Sequence, residues 1–246
     1  MGLYTAARPT YPDALIREVL ARAPGPQIVD LGAGTGISSR VYARLGRERF
    51  GDRVRVTAVE PNAAMRAAGE SPTASEFVPG VTFVAGDAEN TGLADRCCDL
   101  VVGCQAFHWF DLDRALPEID RILGVGGVAA ALWNERSSSP FLDAYEALLW
   151  EWSADYRQIR TVPQTIADLS ARRPTERLVV PSTQRLTRAG LDARVWSASY
   201  VQHGISDKAA FNEALDAVFV AHARARGAEP AVDFDYDSIA VVWAGA

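Results

Sequence analysis

Four polar side chains each follow a short apolar run in this chain: Glu60 after VRVTAV, Asp87 after VTFVAG, and Gln105 and His108 after CDLVVGC. Their types suit recognition of a polar ligand. A carboxylate such as Glu60 at the end of a strand can accept hydrogen bonds from two vicinal ribose hydroxyls of a nucleoside. Asp87, followed by the small Ala88, suits an exocyclic adenine amine, which needs an acceptor, with a neighbouring backbone N–H for a ring nitrogen. His108, whose type titrates at about pH 6.5, can take a proton at neutral pH as a general base. It can equally hydrogen-bond a ligand or pack on Trp109, and this second role is the favoured one.

These residues need a scaffold, and QIVDLGAGTGIS at Gln27 to Ser38 provides its centre. Ile28, Val29 and Leu31 surround Asp30 in a buried parallel strand, and Gly32, Gly34 and Gly36 then form a tight turn into a helix. Glycines let the backbone turn through positive φ and let a ligand approach without meeting a Cβ. The following helix offers its free N–H groups. The spacing is G-x-G-x-G; Ile37 stands where the third glycine of the longer dinucleotide-binding pattern would fall. Glu60 follows Gly36 by 24 residues, close to where a ribose partner is expected.

The 246 residues, 48% of them apolar, suffice for one α/β domain with a cap. A net charge of −6, with the arginines scattered, argues against a nucleic-acid groove. Cys97, Cys98 and Cys104 are clustered without C-x-x-C or histidine spacing, so no metal site is expected. No long apolar run or signal sequence is visible, so no membrane partner is expected and a cytoplasmic location is the default.

In order, Asp13 caps a helix with Leu15, Ile16, Val19 and Leu20 on one face. Tyr4, Arg8 and Tyr11 before it suit either a flap over a ligand or a surface arm. A helix over Ser38 to Leu45 precedes strand two, and Pro61 and Asn62 open a helix through Met65, whose thioether can face an adenine or fill the core. Strand four runs from Cys98 to Cys104, a helix from Asp111 to Leu123 contains Pro117, and GVAAALWN is strand five. Strands alternating with helices predict a doubly wound, mostly parallel sheet, with Gly32, Glu60, Asp87 and Gln105 all at carboxyl ends of strands. A helix is expected over Pro140 to Arg157, weak pattern over Thr161 to Pro181, and a strand in LVVPSTQRL broken by Pro181. Leu191 to Tyr200 reads as helix turning to loop, and Asp207 to Arg226 as helix. FDYDSIAVVWAG reads as an antiparallel last strand.

Taken together, these motifs resemble the class I S-adenosylmethionine-dependent methyltransferases over roughly the first 135 residues. The chain is more closely similar to the methyltransferase type 11 group, ubiquinone-biosynthesis-like and trans-aconitate-methyltransferase-like. That likeness is carried by Y-x-x-x-R-P-x-Y-P at Tyr4 to Pro12, VEPNAAM at Val59 to Met65, QAFHWFD at Gln105 to Asp111, LWNER at Leu132 to Arg136, SASY at Ser197 to Tyr200 and FDYDS at Phe234 to Ser238. The resemblance implies a Rossmann-like seven-stranded sheet with helical cap elements. It implies one domain over 1–246, comprising a flap and helix at 1–22, a cofactor core at 23–133, a cap at 134–190 and terminal helices and strand at 191–246. S-adenosylmethionine would be the cofactor and S-adenosylhomocysteine the product. Asp30, Gly32, Ala33 and Gly34 would hold the methionine portion, Glu60 and Pro61 the ribose, Met65 the adenine face, and Asp87 and Ala88 the adenine edge. Gln105 would lie near the sulfonium, and His108 and Trp109 would face cofactor and substrate. Members of the group usually begin further upstream of the Tyr4 motif, so the flap is expected to be short or trimmed.

The absence of an N/D-P-P-aromatic stretch after strand four argues against methylation of planar amino groups. Tyr11, Trp109, Phe110, Trp133 and Tyr200 point to a small organic acceptor methylated on oxygen or carbon. A monomer or homodimer is expected. The rival readings are a cofactor-binding regulatory module without catalysis, a nicotinamide oxidoreductase, which predicts the longer glycine spacing, and an aminopropyl transferase, which predicts acidic residues near strand four.

Overall fold

The computed structural model describes residues 9–71, 77–158, 161–225 and 229–245. Tyr4 and Arg8 lie outside them, as does part of the Ser71 to Gly80 loop. The chain forms two compact units. One comprises residues 10–134, 161–180 and 238–246, and the other residues up to 9, 135–160 and 181–237.

The sheet has eight strands: β1 (Gln27–Leu31), β2 (Arg55–Val59), β3 (Val81–Val84), β4 (Cys98–Cys104), β5 (Leu123–Arg136), β6 (Glu176–Thr187), β7 (Arg224–Ala225) and β8 (Pro230–Ala244). Their order is β3-β2-β1-β4-β5-β8-β6, with β7 beside β8. The first five strands pair in parallel, with Asp30 opposite Ala58 and Val102, and Cys104 opposite Leu132. β8 runs against β5: Gly245 N–H reaches the Gly127 carbonyl, Ser238 Oγ reaches Asn134 Oδ1, and Ser137 N–H reaches the Asp235 carbonyl. The expected antiparallel last strand is therefore present. The count is eight and not seven, because Arg224 and Ala225 pair antiparallel with Ala231 and Pro230. Two residues carry too little periodicity to be read as a strand.

Strand alternation explains the core of the first unit. Val29, Leu31, Val101, Ala129, Ala131, Trp133, Ile239 and Val241 belong to one buried cluster. Their neighbours Ile28, Leu100, Val102, Ala130, Leu132, Ala240 and Val242 belong to another. Both sheet faces are thus covered, as parallel sheets require, and the strands read as continuous apolar runs. α1 (Asp13–Arg22) and α2 (Ile37–Phe50) supply Leu15, Ile16, Val19, Tyr42 and Leu45 to the second cluster. α3 (Ala63–Glu70) begins at Asn62, whose Oδ1 accepts from the N–H groups of Ala64 and Met65 at 2.9 and 3.2 Å. α4 (Leu112–Ile122) faces the first cluster with Leu112, Ala115, Leu116, Ile119 and Ile122. Asp111 caps it, and Pro117 sits inside without ending it.

Several boundaries differ from expectation: Asp13 lies inside α1, whose N-cap is Pro12, and α2 runs on to Phe50. α5 (Pro140–Trp152) ends before Arg157, because Ser153 Oγ donates to the Tyr200 carbonyl and accepts from Tyr156 N–H, turning the chain. The weakly patterned segment contains α6 (Val162–Arg172), started by a capping box in which Thr161 and Gln164 satisfy each other's backbone N–H. β6 runs through Pro181, which its terminal place in the sheet order permits. In the second unit, α7 (Arg188–Trp196), α8 (Ser199–Gln202) and α9 (Lys208–His222) pack with α5 on a cluster that includes Phe141, Tyr145, Leu191, Phe211 and Phe234. Replacing Thr161 by Ala removes the cap of α6 and should lower unfolding free energy by about 0.5–2 kcal/mol in urea denaturation, with the slope unchanged.

Candidate cofactor site

Within the first unit, β1 delivers the chain into a turn where Gly32, Gly34 and Gly36 have φ of 66°, 58° and 79°. Only glycine adopts three such values in five residues cheaply. Gly32 and Ala33 N–H bond to the Val59 carbonyl at 2.9 and 3.1 Å, and Gly36 N–H to Ala33 at 2.9 Å. A Cβ on Gly32 would lie 2.9 Å from that of Ala106, and one on Gly36 would lie 2.5 Å from the Phe83 ring. At Gly34 the nearest atom to such a Cβ is the Met65 sulfur at 3.9 Å, so Met65 borders the turn, partly exposed.

Asp30 and Glu60 flank this turn. Asp30 is fully buried; its Oδ2 accepts from Ser38 and Ser39 hydroxyls at 2.7 and 2.6 Å, while Oδ1 has no hydrogen-bond partner. Burial raises its pKa to about 6 against the pull of the two serine hydroxyls, with the Glu60 charge adding to the rise. Glu60, also buried, accepts from Gly34 N–H and Asn62 N–H, each at 2.8 Å, and so links the glycine turn to the start of α3. Each carboxylate oxygen keeps a lone pair for a ligand hydroxyl. Arg66 clamps the same loop by donating to the carbonyls of Glu60 and Pro61 at 2.7 and 2.8 Å.

Asp87 is exposed and folds its own loop, its Oδ1 accepting from Glu89 and Asn90 N–H at 3.1 and 2.7 Å. Ala88 is buried beside it. Glu118 of α4 holds this loop from below, accepting from the N–H and hydroxyl of Thr91 at 2.8 and 2.6 Å. The Arg121 guanidinium, ahead of Thr91, keeps the Glu118 carboxyl ionised down to about 2. No single motif announced this support; the T91 and E118 pairing is made by the fold.

After β4, Gln105 has φ 55°, unusual for a residue with a side chain, and its N–H bonds to the Leu132 carbonyl at 2.9 Å. A residue with a Cβ pays a conformational cost for this left-handed backbone. His108 is half-buried against Trp109, ring centroids 5.0 Å apart, and burial lowers its pKa to about 4. At neutral pH it is uncharged and a weak base. Trp109 is 69% exposed, and Tyr11 reaches the Leu132 carbonyl through its hydroxyl at 3.0 Å. Trp133 corrects the sequence expectation. It has no exposed surface and packs edge-on to Phe107 in the core, so it does not line a substrate pocket. Tyr200 belongs to the other unit.

Residues 29–131 match the family model described as methyltransferase domain. That segment is similar to methyltransferase domains. An uncharacterized methyltransferase of Mycobacterium tuberculosis is 36% identical over 141 residues, covering 55% of this chain and 51% of that protein. Malonyl-[acyl-carrier protein] O-methyltransferase of Pectobacterium atrosepticum is 34% identical over 146 residues, 58% of this chain and 51% of the relative. The chain thus spans about half the length of the curated relatives it matches. A structure from Anaeromyxobacter dehalogenans, assigned as a candidate type II methyltransferase, superposes with TM-score 0.67 at 24% identity, covering 96% of this chain and 97% of the other. The likeness shows a shared α/β fold, a mostly parallel sheet flanked by helices.

The residues of the first unit fit S-adenosylmethionine on their own chemistry: an unpartnered buried carboxylate oxygen for an ammonium, a Cβ-free cradle, a buried glutamate for hydroxyls and a methionine for a base. Among the described residues no cluster suits a metal, and no helix is long and apolar enough to cross a membrane. His108 sets a pH signature. The folded state binds fewer protons at this ring than the unfolded chain between about 4 and 6.5, so its contribution is complete above 6.5 and lost as pH falls toward 4. Replacing His108 by Gln should flatten the loss of thermal stability across that window, and ring proton shifts should titrate near pH 4 in the native protein.

Proposed function

We propose that this chain is an S-adenosylmethionine-dependent methyltransferase acting on oxygen or carbon of a small organic acceptor. The observation that carries the reading is Asp30 Oδ1, buried and without a hydrogen-bond donor beside a glycine turn that Glu60 braces from the other side. A buried carboxylate oxygen of this kind suits the ammonium of a methionine moiety. The relatives support the reaction type: the Pectobacterium protein is an O-methyltransferase, and a Thermobifida fusca relative, 38% identical over 106 residues, is a demethylmenaquinone methyltransferase.

When bound, S-adenosylmethionine supplies a methyl group on a sulfonium that leaves readily as a neutral thioether. The protein's part is positioning: Asp30 and the glycine turn fix one end, Glu60 and Met65 the other, and Gln105 stands at the end of β4, across β1 from Glu60. In-line displacement gains most from such alignment. An ionised carboxylate or phenolate acceptor needs no base, in keeping with the low basicity of His108. A carbon acid would need a base, and His108, uncharged at neutral pH and weakly basic, is the candidate for that role. We assign the protein to small acceptors and not nucleic acid on its net charge of −6.

Calorimetric titration with S-adenosylmethionine, S-adenosylhomocysteine and NAD tests the cofactor. The two sulfur ligands should bind and NAD should not; binding of NAD alone overturns the proposal. Product formation in a screen of small carboxylic and aromatic compounds separates an enzyme from a non-catalytic binding module. Glu60→Ala should weaken S-adenosylhomocysteine by about 1–3 kcal/mol through lost charge-assisted hydrogen bonds, and unchanged affinity would show the ribose assignment to be wrong. Asp30→Asn should weaken S-adenosylhomocysteine far more than adenosine. In the wild type, affinity for the amino-acid ligand should begin to fall as pH drops through about 6, where Asp30 takes up a proton.

A further inference from the structure

The second unit contains a group of charged and phenolic side chains that the cofactor site does not use. Arg136, at the end of β5, has a largely buried side chain, 16% exposed. Its terminal nitrogens donate to Tyr156 Oη, to Tyr200 Oη at 3.5 Å and to Glu146 Oε2 at 3.2 Å, and its guanidinium lies over the Tyr145 and Tyr156 rings at 5.5 and 5.4 Å. Arg136 Nε is buried and has no partner. Arg194 of α7 donates through Nε to Tyr236 Oη at 3.1 Å and lies over the Phe234 ring at 5.5 Å. Among the described residues no carboxylate pairs with it. Both guanidinium groups act on Tyr145 and Tyr236, and both feel Tyr200.

A guanidinium cannot shed its charge as a buried lysine can, so burial without a counter-ion is costly and favours an incoming anion. Burial, ahead of every other influence, pushes the Tyr145, Tyr156 and Tyr236 hydroxyls above the usual phenol range, so they remain protonated donors. Glu146 faces Arg136 and Tyr156, and half-buried Glu135 lies beside Arg136 with its own pKa raised by burial. Glu146 is the acid bonded to Arg136, which leaves Arg194 as the guanidinium without a carboxylate among the described residues. A planar carboxylate also fits the guanidinium fork.

We propose that Arg136 and Arg194, with Tyr145 and Tyr200, form a carboxylate-binding site that anchors the methyl acceptor by an acidic group. This rests on the methyltransferase reading for its purpose but not for its chemistry. The test titrates the protein, saturated with S-adenosylhomocysteine, with benzoate, 4-hydroxybenzoate and succinate, and with the neutral benzamide and succinamide. The acids should bind at least ~10-fold more tightly than their amides, as expected for charge-assisted pairs. Arg194→Met should remove that preference while leaving S-adenosylhomocysteine affinity unchanged, and Arg194→Lys should restore part of it. The acid-to-amide comparison on the wild type stands even where a variant fails to fold. Equal binding of acids and amides, no binding of any acid, or tighter binding of phenyl phosphate than of benzoate overturns the carboxylate site and leaves the proposed function standing. Arg194-dependent acid binding in a protein that binds no S-adenosylhomocysteine keeps the site and overturns the proposed function.

Discussion

The hydrogen bond from Gly34 N–H to Glu60 is the contact on which the cofactor unit turns. It ties the loop after β1 to the residue after β2, and the same carboxylate holds Asn62 N–H at the start of α3. A buried carboxylate requires donors, and here they are the backbone N–H groups of Gly34 and Asn62. The left-handed glycines and the buried glutamate are thus one requirement seen from two strands. The parallel register that sets Leu31 opposite Val59 brings the two ends to the same level.

Around that contact the two carboxylates divide the ligand-binding work by environment. Asp30 lies inside the strand, where burial raises its pKa and leaves one oxygen without a donor. Glu60 lies one residue past its strand, with both oxygens already held by backbone N–H groups. The first has the chemistry to take a cation, the second to accept from hydroxyls through its remaining lone pairs, as the proposed function requires. Partly buried polar residues hold the neighbouring loops. Glu118 fixes the loop bearing Asp87, and Arg66 fixes the loop bearing Glu60.

The second unit follows a different principle. Its core is aromatic, with Phe141, Tyr145, Phe234 and Tyr236 stacked or edge-on at 5.2–6.3 Å between ring centroids. Arginines enter that core by lying over ring faces, where the guanidinium gains cation–π attraction in place of water. Such an environment supplies hydroxyl donors and positive charge together, whereas the cofactor unit supplies carboxylates and backbone donors. Opposite electrostatic characters in the two units suit two ligands of opposite demand.

The sequence by itself determined the parallel core. Apolar runs ending in GAGTG, Glu60 and Asp87 leave one arrangement in which all three meet, because parallel strands place equivalent ends together. The Cys98–Cys104 strand, the Asp111 cap and the antiparallel last strand were readable for the same reason: each rests on local pattern. The capping box at Thr161 and Gln164 was equally local and could have been found from T-V-P-Q, but the segment's weak hydrophobic pattern hid the helix behind it. Only the tertiary structure decided the rest. It buried Trp133, which the sequence offered as a substrate contact, since strand alternation sets a face but not whether that face meets solvent or α4. It lowered the pKa of His108 through desolvation, which no spacing encodes. It also gathered Arg136, from the legible LWNER motif, with Arg194 and tyrosines up to 100 residues away. Charge and burial at that distance are properties of packing, and a linear pattern carries neither.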